Sequence, residues 1–296
     1  MNNSTKTILV TGATGRQGGA VIGHLLKKDF KVKALSRSPE SIAAQKLVSR
    51  GINVVKGDMS DTQSLINAMQ DCEGVFSIQN YFECRGEKEI QYGKNMVDAA
   101  KKSGVAHFVY NSVCGADSNT GVPHFETKYV IEQHIKNTGI PATVLRPVKF
   151  MENYYILQVF KGILDGKLYD AIKPGKKHQM IAVDDIGKYV AETFANPEKY
   201  TGKTIEIAGD EVTNEQVAAT MTEVSGIKVK FKRLPMFIVR MVMDKEMYLM
   251  FKWFNNEGFK ADMKGVKIDF PTVKATTLKD FLVNENWQRW NKKGTV

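Results

Sequence analysis

The chain has 296 residues, with 42 Lys and Arg against 32 Asp and Glu, giving a formal net charge of +10. A hydrophobic content of 43% and a charged content of 25% support a packed core and exclude a disordered polyelectrolyte. The length suits one large α/β domain or a main domain with a smaller appendage. The basic residues are dispersed, with modest concentrations around Lys27, Lys228 and Arg289. No basic helix with interleaved aromatics and no zinc-finger or helix-turn-helix spacing occurs, so direct nucleic-acid binding is not expected. The charge reads as solvated faces, with a contribution from recognition of anionic phosphates.

Residues 1–5 are polar and uncharged and show no secretory signal pattern. Three cysteines, Cys72, Cys84 and Cys114, lack any Cys-x-x-Cys spacing, which predicts free thiols in a reducing compartment. The expectation is a cytoplasmic protein with no membrane segment.

Along the chain, the apolar run Ile8-Leu9-Val10 predicts a first strand, which ends in Gly12-Ala13-Thr14-Gly15-Arg16-Gln17-Gly18-Gly19. A helix is predicted over residues 16–28. Strand, glycine-rich turn and helix in this order form the opening of a dinucleotide-binding unit. Gly12 permits the tight turn, Gly15 allows backbone to approach a pyrophosphate, and Gly18 or Gly19 lets the helix pack close to the strand. The helix then directs its free N–H groups at the phosphates. The alternation in residues 30–36 predicts a second strand, ending at Ser36-Arg37. An NAD-type site would place an acid there to accept from the ribose 2′-hydroxyl, whereas a guanidinium suits a 2′-phosphate. Arg37, with Arg16 in reach of the same group, therefore predicts NADP(H) over NAD(H); otherwise Arg37 is a solvent-exposed loop residue.

A helix over residues 41–49 leads to a third strand over 52–59, with Asp58 near its carboxyl end. Asp58 fits either a contact to the adenine amino group or a cap for the next helix, a role for which Ser60 and Asp61 compete. Residues 74–78 predict a fourth strand, ending in Gln79-Asn80-Tyr81; residues 87–103 a helix; residues 106–112 and 142–147 the fifth and sixth strands. Six strands alternating with helices predict a Rossmann-type doubly wound parallel sheet, with helices on both faces and its ligand crevice beyond the strand carboxyl ends. Further on, residues 149–166 read as helical, 173–177 as a turn, 179–187 as a strand running into a helix, 204–208 as a strand and 214–224 as a helix capped near Thr213. The Met- and aromatic-rich stretch 235–254 reads as a core helix, with a pocket lid or partner surface as the other reading. The predicted organisation is a dinucleotide-binding domain over 1–153 and 180–200, with a smaller mixed α/β lobe over 154–179 and 201–296.

Dehydrogenases built on this sheet carry a Tyr-x-x-x-Lys pair on the helix after strand five, where the lysine binds ribose and assists the phenol. Here Lys128 is present and His124, not tyrosine, stands four residues before it on the same helical face. His124 fits a general acid near neutral pH, or a packing residue at the helix start. Ser112 ends strand five where such enzymes keep a hydroxyl.

Four segments in order, Gly12 to Gly19, Gln79-Asn80-Tyr81, His124-Phe-x-x-Lys128 and Arg146-Pro-x-x-Phe-Met-Glu-Asn153, resemble the NmrA-like family of atypical short-chain dehydrogenases. The resemblance extends through Asp184-Asp185-Ile186-Gly187 to a closing helix over residues 278–287. It implies NADP(H) binding, with Gly12, Thr14, Gly15, Arg16, Gln17 and Gly18 around the pyrophosphate and Arg37 at the 2′-phosphate. It further implies Asp58 and Met59 beside the adenine, Gln79, Asn80 and Tyr81 lining the cofactor, Lys128 at the nicotinamide ribose, and Phe150, Met151, Glu152 and Asn153 closing over the nicotinamide. Gln91 departs from a lysine found in the related branch. The family contains redox sensors that bind the dinucleotide and alter contacts with a regulatory protein partner, and NADPH-dependent reductases of quinone-like acceptors. The missing tyrosine weighs toward a sensor, with a reductase as the alternative, in a monomer or homodimer.

Overall fold

The computed structural model describes residues 3–287. Two compact units are formed: one by residues up to Pro147 with Val183–Glu206 and Val266–Val273, the other by Val148–Ala182, Ile207–Gly265 and the chain from Lys274 onward.

The first unit is built on a seven-stranded sheet. Strands β1 (Thr7–Val10), β2 (Lys31–Ser36), β3 (Asn53–Lys56), β4 (Gly74–Ser77), β5 (His107–Asn111) and β6 (Ala142–Pro147) run in the spatial order β3-β2-β1-β4-β5-β6, and Thr204–Ile207 adds the outer strand beyond β6. The pairs among β1 to β6 are parallel, with Leu9 opposite Lys33 on one side and Val75 on the other. β4, β5 and β6 are buried along their whole lengths, the pattern of a parallel sheet covered on both faces. The order reverses at β1, so the crevice expected beyond β1 and β4 is a topological switch point.

The helices start and stop for local reasons. Helix α1 (Arg16–Lys27) follows the glycine loop directly. Ser41 caps α2 (Ile42–Val48), and Asp61, through bonds from the Gln63 and Ser64 N–H groups, caps α3 (Thr62–Ala68). A one-turn helix α4 (Tyr81–Cys84), not foreseen in the sequence, precedes α5 (Gly86–Lys102). Helix α6 (Pro123–Thr138) has proline in its first turn and closes on Gly139 in the left-handed region. The helix Val183–Ala195 packs on α1 so closely that a Cβ on Gly187 would lie 2.7 Å from the Ala20 carbonyl. His24–Asp184 (2.7 Å) and Lys28–Glu192 (2.8 Å) pair along that seam.

The second unit has a three-stranded sheet, Asp210–Val212, His178–Ile181 and Lys149–Phe150, and a parallel pair, Lys230–Arg233 with Lys167–Asp170. Its core gathers Tyr154, Ile163, Leu168, Met180, Met221, Phe281 and Trp287. Thr213 and Gln216 form a reciprocal capping box at the start of the helix Asn214–Ser225.

Two expectations are corrected. Residues 149–166 are not one helix: Lys149–Phe150 is a strand paired with Met180 and Ile181, Met151–Tyr155 is a short 3-10 turn, and only Leu157–Leu164 is α-helical. Pairing to a neighbouring strand overrides the local apolar pattern. The stretch 235–254 is not a core helix either. It forms Met236–Val242 and Lys245–Asn256, divided where Asp244 caps the second helix, and Phe237 (67%) and Met241 (80%) are exposed while Val239, Trp253 and Phe254 are buried.

Candidate functional site

The carboxyl ends of β1 to β5 in the first unit carry most of the predicted site residues. Gly12 has φ +60, and its carbonyl accepts the Gly15 N–H at 2.9 Å. A Cβ on Gly18 would lie 2.2 Å from the Gly12 oxygen, whereas one on Gly19 meets nothing within 4 Å. Gly18 is therefore the residue that allows strand and helix to touch, and Gly19 has no such role. Gly15 occupies the cap position of α1 without any side-chain cap bond, and no acid stands in the first turn. A helix N-terminus left without a side-chain acceptor suits an anion. Thr14, Gly15 and Arg16 are exposed there, and Gln17 is half-buried, accepting from Asn111 Nδ2 at 2.8 Å.

Thr11, which the sequence reading passed over, fastens this loop to β4. Its hydroxyl accepts the Ile78 N–H at 2.8 Å and donates to the Ile78 carbonyl at 3.1 Å. Arg37, beyond β2, is exposed, with Glu83 3.9 Å away. Asp58 lies beyond β3 and accepts from the Ser60 N–H and hydroxyl; those bonds hold its carboxyl below the usual range, with the charges of Arg37 and Lys88 adding. The helix-cap role falls to Asp61. Gln91, at the departing position, donates to Asn95, which in turn donates to the Met59 carbonyl at 2.8 Å and so pins the turn that carries Asp58 and Met59.

Beyond β4, Gln79 is buried, its Nε2 donating to Ser77 Oγ at 2.9 Å, and Asn80 caps α4. Tyr81 is buried with its ring 5.6 Å from His124; Phe82 is exposed with its ring 5.8 Å from His124, and Phe125 is 4.7 Å away. His124 thus belongs to a group of four aromatic rings. One turn along α6, Lys128 Nζ donates to Glu89 Oε1 at 2.9 Å and contacts the Gln79 carbonyl at 3.4 Å. Ser112 is not free for chemistry: its hydroxyl donates to Glu132 at 2.5 Å, and Glu132 is gripped by the Arg146 guanidinium through two bonds of 3.0 and 2.6 Å.

Phe150, Met151, Glu152 and Asn153 belong to the second unit, where Phe150 closes the short strand and Met151 is fully buried in that unit's core. The three cysteines form no disulfide. Burial pushes Cys72 up to about 11 and raises Cys84, whose Sγ contacts the Asn80 carbonyl at 3.0 Å; Cys114 is buried.

Three buried polar atoms at the ends of β4 and β5 have no protein partner: Gln79 Oε1, Tyr110 Oη and Asn111 Oδ1. With the α1 terminus that lacks a side-chain cap and the close approach at Gly18, they fit a polar ligand laid across the switch point. Among the described residues no group of acids, histidines and cysteines is arranged to hold a metal ion, and no helix is long and apolar enough to cross a membrane.

A parallel sheet in this order with a glycine loop at its switch point defines a Rossmann-type nucleotide-binding fold. Residues 4–282 match the NmrA-like family, and the chain belongs to it. It is 31% identical to an NmrA-like family domain-containing protein of Dictyostelium discoideum, over 96% of this chain and 99% of that protein. The NADPH complex of the quinone oxidoreductase QOR2 from Escherichia coli superposes with a TM-score of 0.80 at 26% identity, covering 94% of this chain and 99% of that one. NmrA, a negative transcriptional regulator solved with NADP, shares the fold at 16% identity and a TM-score of 0.78, over 99% and 98% of the two chains.

Proposed function

We propose that this chain binds NADP(H) in preference to NAD(H) and reduces a small, planar, quinone-like acceptor. The observation that carries the reading is the ring group beside Lys128, in which the exposed Phe82 and half-buried His124, packed on the buried Tyr81 and Phe125, are the rings left for a flat conjugated molecule to stack on. QOR2 of Escherichia coli, a structural relative, is an NADPH-dependent quinone oxidoreductase.

In this reading the Gly12 to Gly18 loop and the α1 terminus bind the pyrophosphate, and Arg37 binds the 2′-phosphate. Asp58 and Met59 flank the adenine, Gln79 to Tyr81 line the cofactor, and Lys128 orients the nicotinamide ribose. Bound NADPH supplies the hydride. His124 or solvent supplies the proton that the reduced acceptor takes up, so a tyrosine is not required. A second reading, a redox sensor whose affinity for a regulatory protein follows the cofactor state, is favoured by His124 standing where the proton-donating phenol is usual.

The deciding experiment mixes purified protein with NADPH and a panel of quinones and follows the reduced-nicotinamide absorbance. Oxidation above the protein-free rate that disappears in Lys128→Ala supports the reductase. Tight NADPH binding without oxidation leaves the sensor.

A further inference from the structure

Glu89 has no role in the site as read from the sequence, yet it is fully buried, and its carboxylate meets two consecutive residues of α6. Lys128 Nζ donates to Oε1 at 2.9 Å, and Thr127 Oγ1 donates to Oε2 at 2.5 Å. The Lys128 side chain is 12% exposed and that of Glu89 0%. A carboxylate placed in such surroundings is strongly disfavoured unless it is paired and hydrogen-bonded. Both conditions are met only while Lys128 stays where it is. The ammonium has three donors. One goes to Glu89 and one is directed at the Gln79 carbonyl, 3.4 Å away; among the described residues no protein atom takes the third. Gln79 Oε1 and Tyr110 Oη, both buried, also lack partners, and Tyr110 feels the Glu89 charge.

We propose that Glu89 is a positioning residue for the cofactor site: with Thr127 holding its second oxygen, it fixes the Lys128 ammonium so that one donor remains for a sugar hydroxyl of the dinucleotide. The inference rests on the NADP(H)-binding reading above. Preorganisation of this kind lowers the ordering cost when the ligand binds, because a long lysine side chain is already immobilised. Glu89 need not touch the ligand itself. Its contribution is transmitted through one atom, Lys128 Nζ.

That transmission gives a double-mutant test. NADPH affinity is measured by calorimetric titration for the wild type, Glu89→Gln, Lys128→Ala and the double variant, with thermal unfolding as a check on folding. Glu89→Gln keeps the side-chain volume and an acceptor for Thr127 while removing the charge that holds Lys128. The expected losses are about tenfold for Glu89→Gln and about tenfold or more for Lys128→Ala. The double variant is expected to bind no more weakly than Lys128→Ala alone. Glu89→Asp, which keeps the charge, is expected to recover part of the affinity lost in Glu89→Gln. Additive losses would show that Glu89 acts on the site by some route other than Lys128 and would overturn the proposal. So would unchanged affinity in Glu89→Gln. If Glu89→Gln unfolds, the comparison of Glu89→Asp with and without Lys128→Ala carries the same test. Failure of the wild type to bind NADPH would overturn the cofactor reading itself, an outcome separable from the others because it appears before any substitution is made.

Discussion

Arg37 shows how a single side chain carries a cofactor preference. Its guanidinium is exposed, and the Glu83 carboxylate 3.9 Å away holds it only weakly, so it stays available to a phosphate. Replacing it with aspartate puts a negative charge where a 2′-phosphate would bind and offers an acceptor to a free 2′-hydroxyl. Arg37→Asp is expected to weaken NADPH binding about tenfold or more while changing NADH binding little. Titration with both nucleotides checks this, and equal losses would remove Arg37 from the 2′-phosphate site. The glycines give a sharper contrast. Gly18→Ala forces a Cβ to 2.2 Å from a backbone oxygen that cannot swing aside, while Gly19→Ala enters open space in the same helix turn. Expected are a destabilisation of about 1–3 kcal/mol with lost NADPH affinity for the first, and no loss, or a gain of up to about 1 kcal/mol, for the second. Denaturant melts of the two variants side by side read the difference.

At the scale of elements, the alternation of strand and helix was legible because strands of a parallel sheet buried on both faces keep short apolar cores, Val75-Phe76 in β4, Phe108-Val109-Tyr110 in β5 and Val144-Leu145 in β6. The glycine loop was legible because Gly12 takes a positive φ and Gly18 has no room for a Cβ. What stayed hidden depends on three-dimensional pairing. Lys149-Phe150 has no strand signal of its own and is a strand because His178–Ile181 lies beside it. Glu89 reads as an ordinary acid in an early helix turn, and nothing local shows that α6 covers it. Ser112 was legible as a hydroxyl at the end of a strand, but not its capture by Glu132. That capture defines an element-scale prediction, because Arg146 on β6, Glu132 on α6 and Ser112 after β5 lock a helix to two strands. Arg146→Met leaves a buried carboxylate unpaired and is expected to cost about 3–5 kcal/mol in urea unfolding. Adding Glu132→Gln to that variant is expected to recover part of the loss. A double variant as unstable as the sum of the two single variants would deny the charge coupling.

For the whole molecule, acid is the condition that tests both units, since each buries a histidine in its neutral form. His107 in the first unit is pushed down to about 4 from 6.5 by burial, and its Nε2 bonds Thr143 at 2.9 Å. His178 in the second is also pushed down to about 4, by burial first and the Lys149 charge next. An unfolded chain takes up those protons near pH 6.5 while the folded chain resists until about 4. Stability from each histidine is therefore fully present above about pH 6.5 and is lost as pH falls toward 4. The gap for one histidine amounts to about 3 kcal/mol at most. Asp184, pulled down to about 2 chiefly by its bond from His24, behaves differently: its stabilisation persists until the pH falls below about 3.8. Acid should thus weaken the protein first through the histidines and only later through this carboxylate. His107→Gln isolates the first step, because glutamine keeps a polar partner for Thr143 and does not titrate in this range. The stability advantage of the wild type over His107→Gln is expected to shrink by about 2–3 kcal/mol between pH 7.5 and pH 4.5 in urea unfolding. A constant difference across that range would mean that His107 is not held neutral by burial.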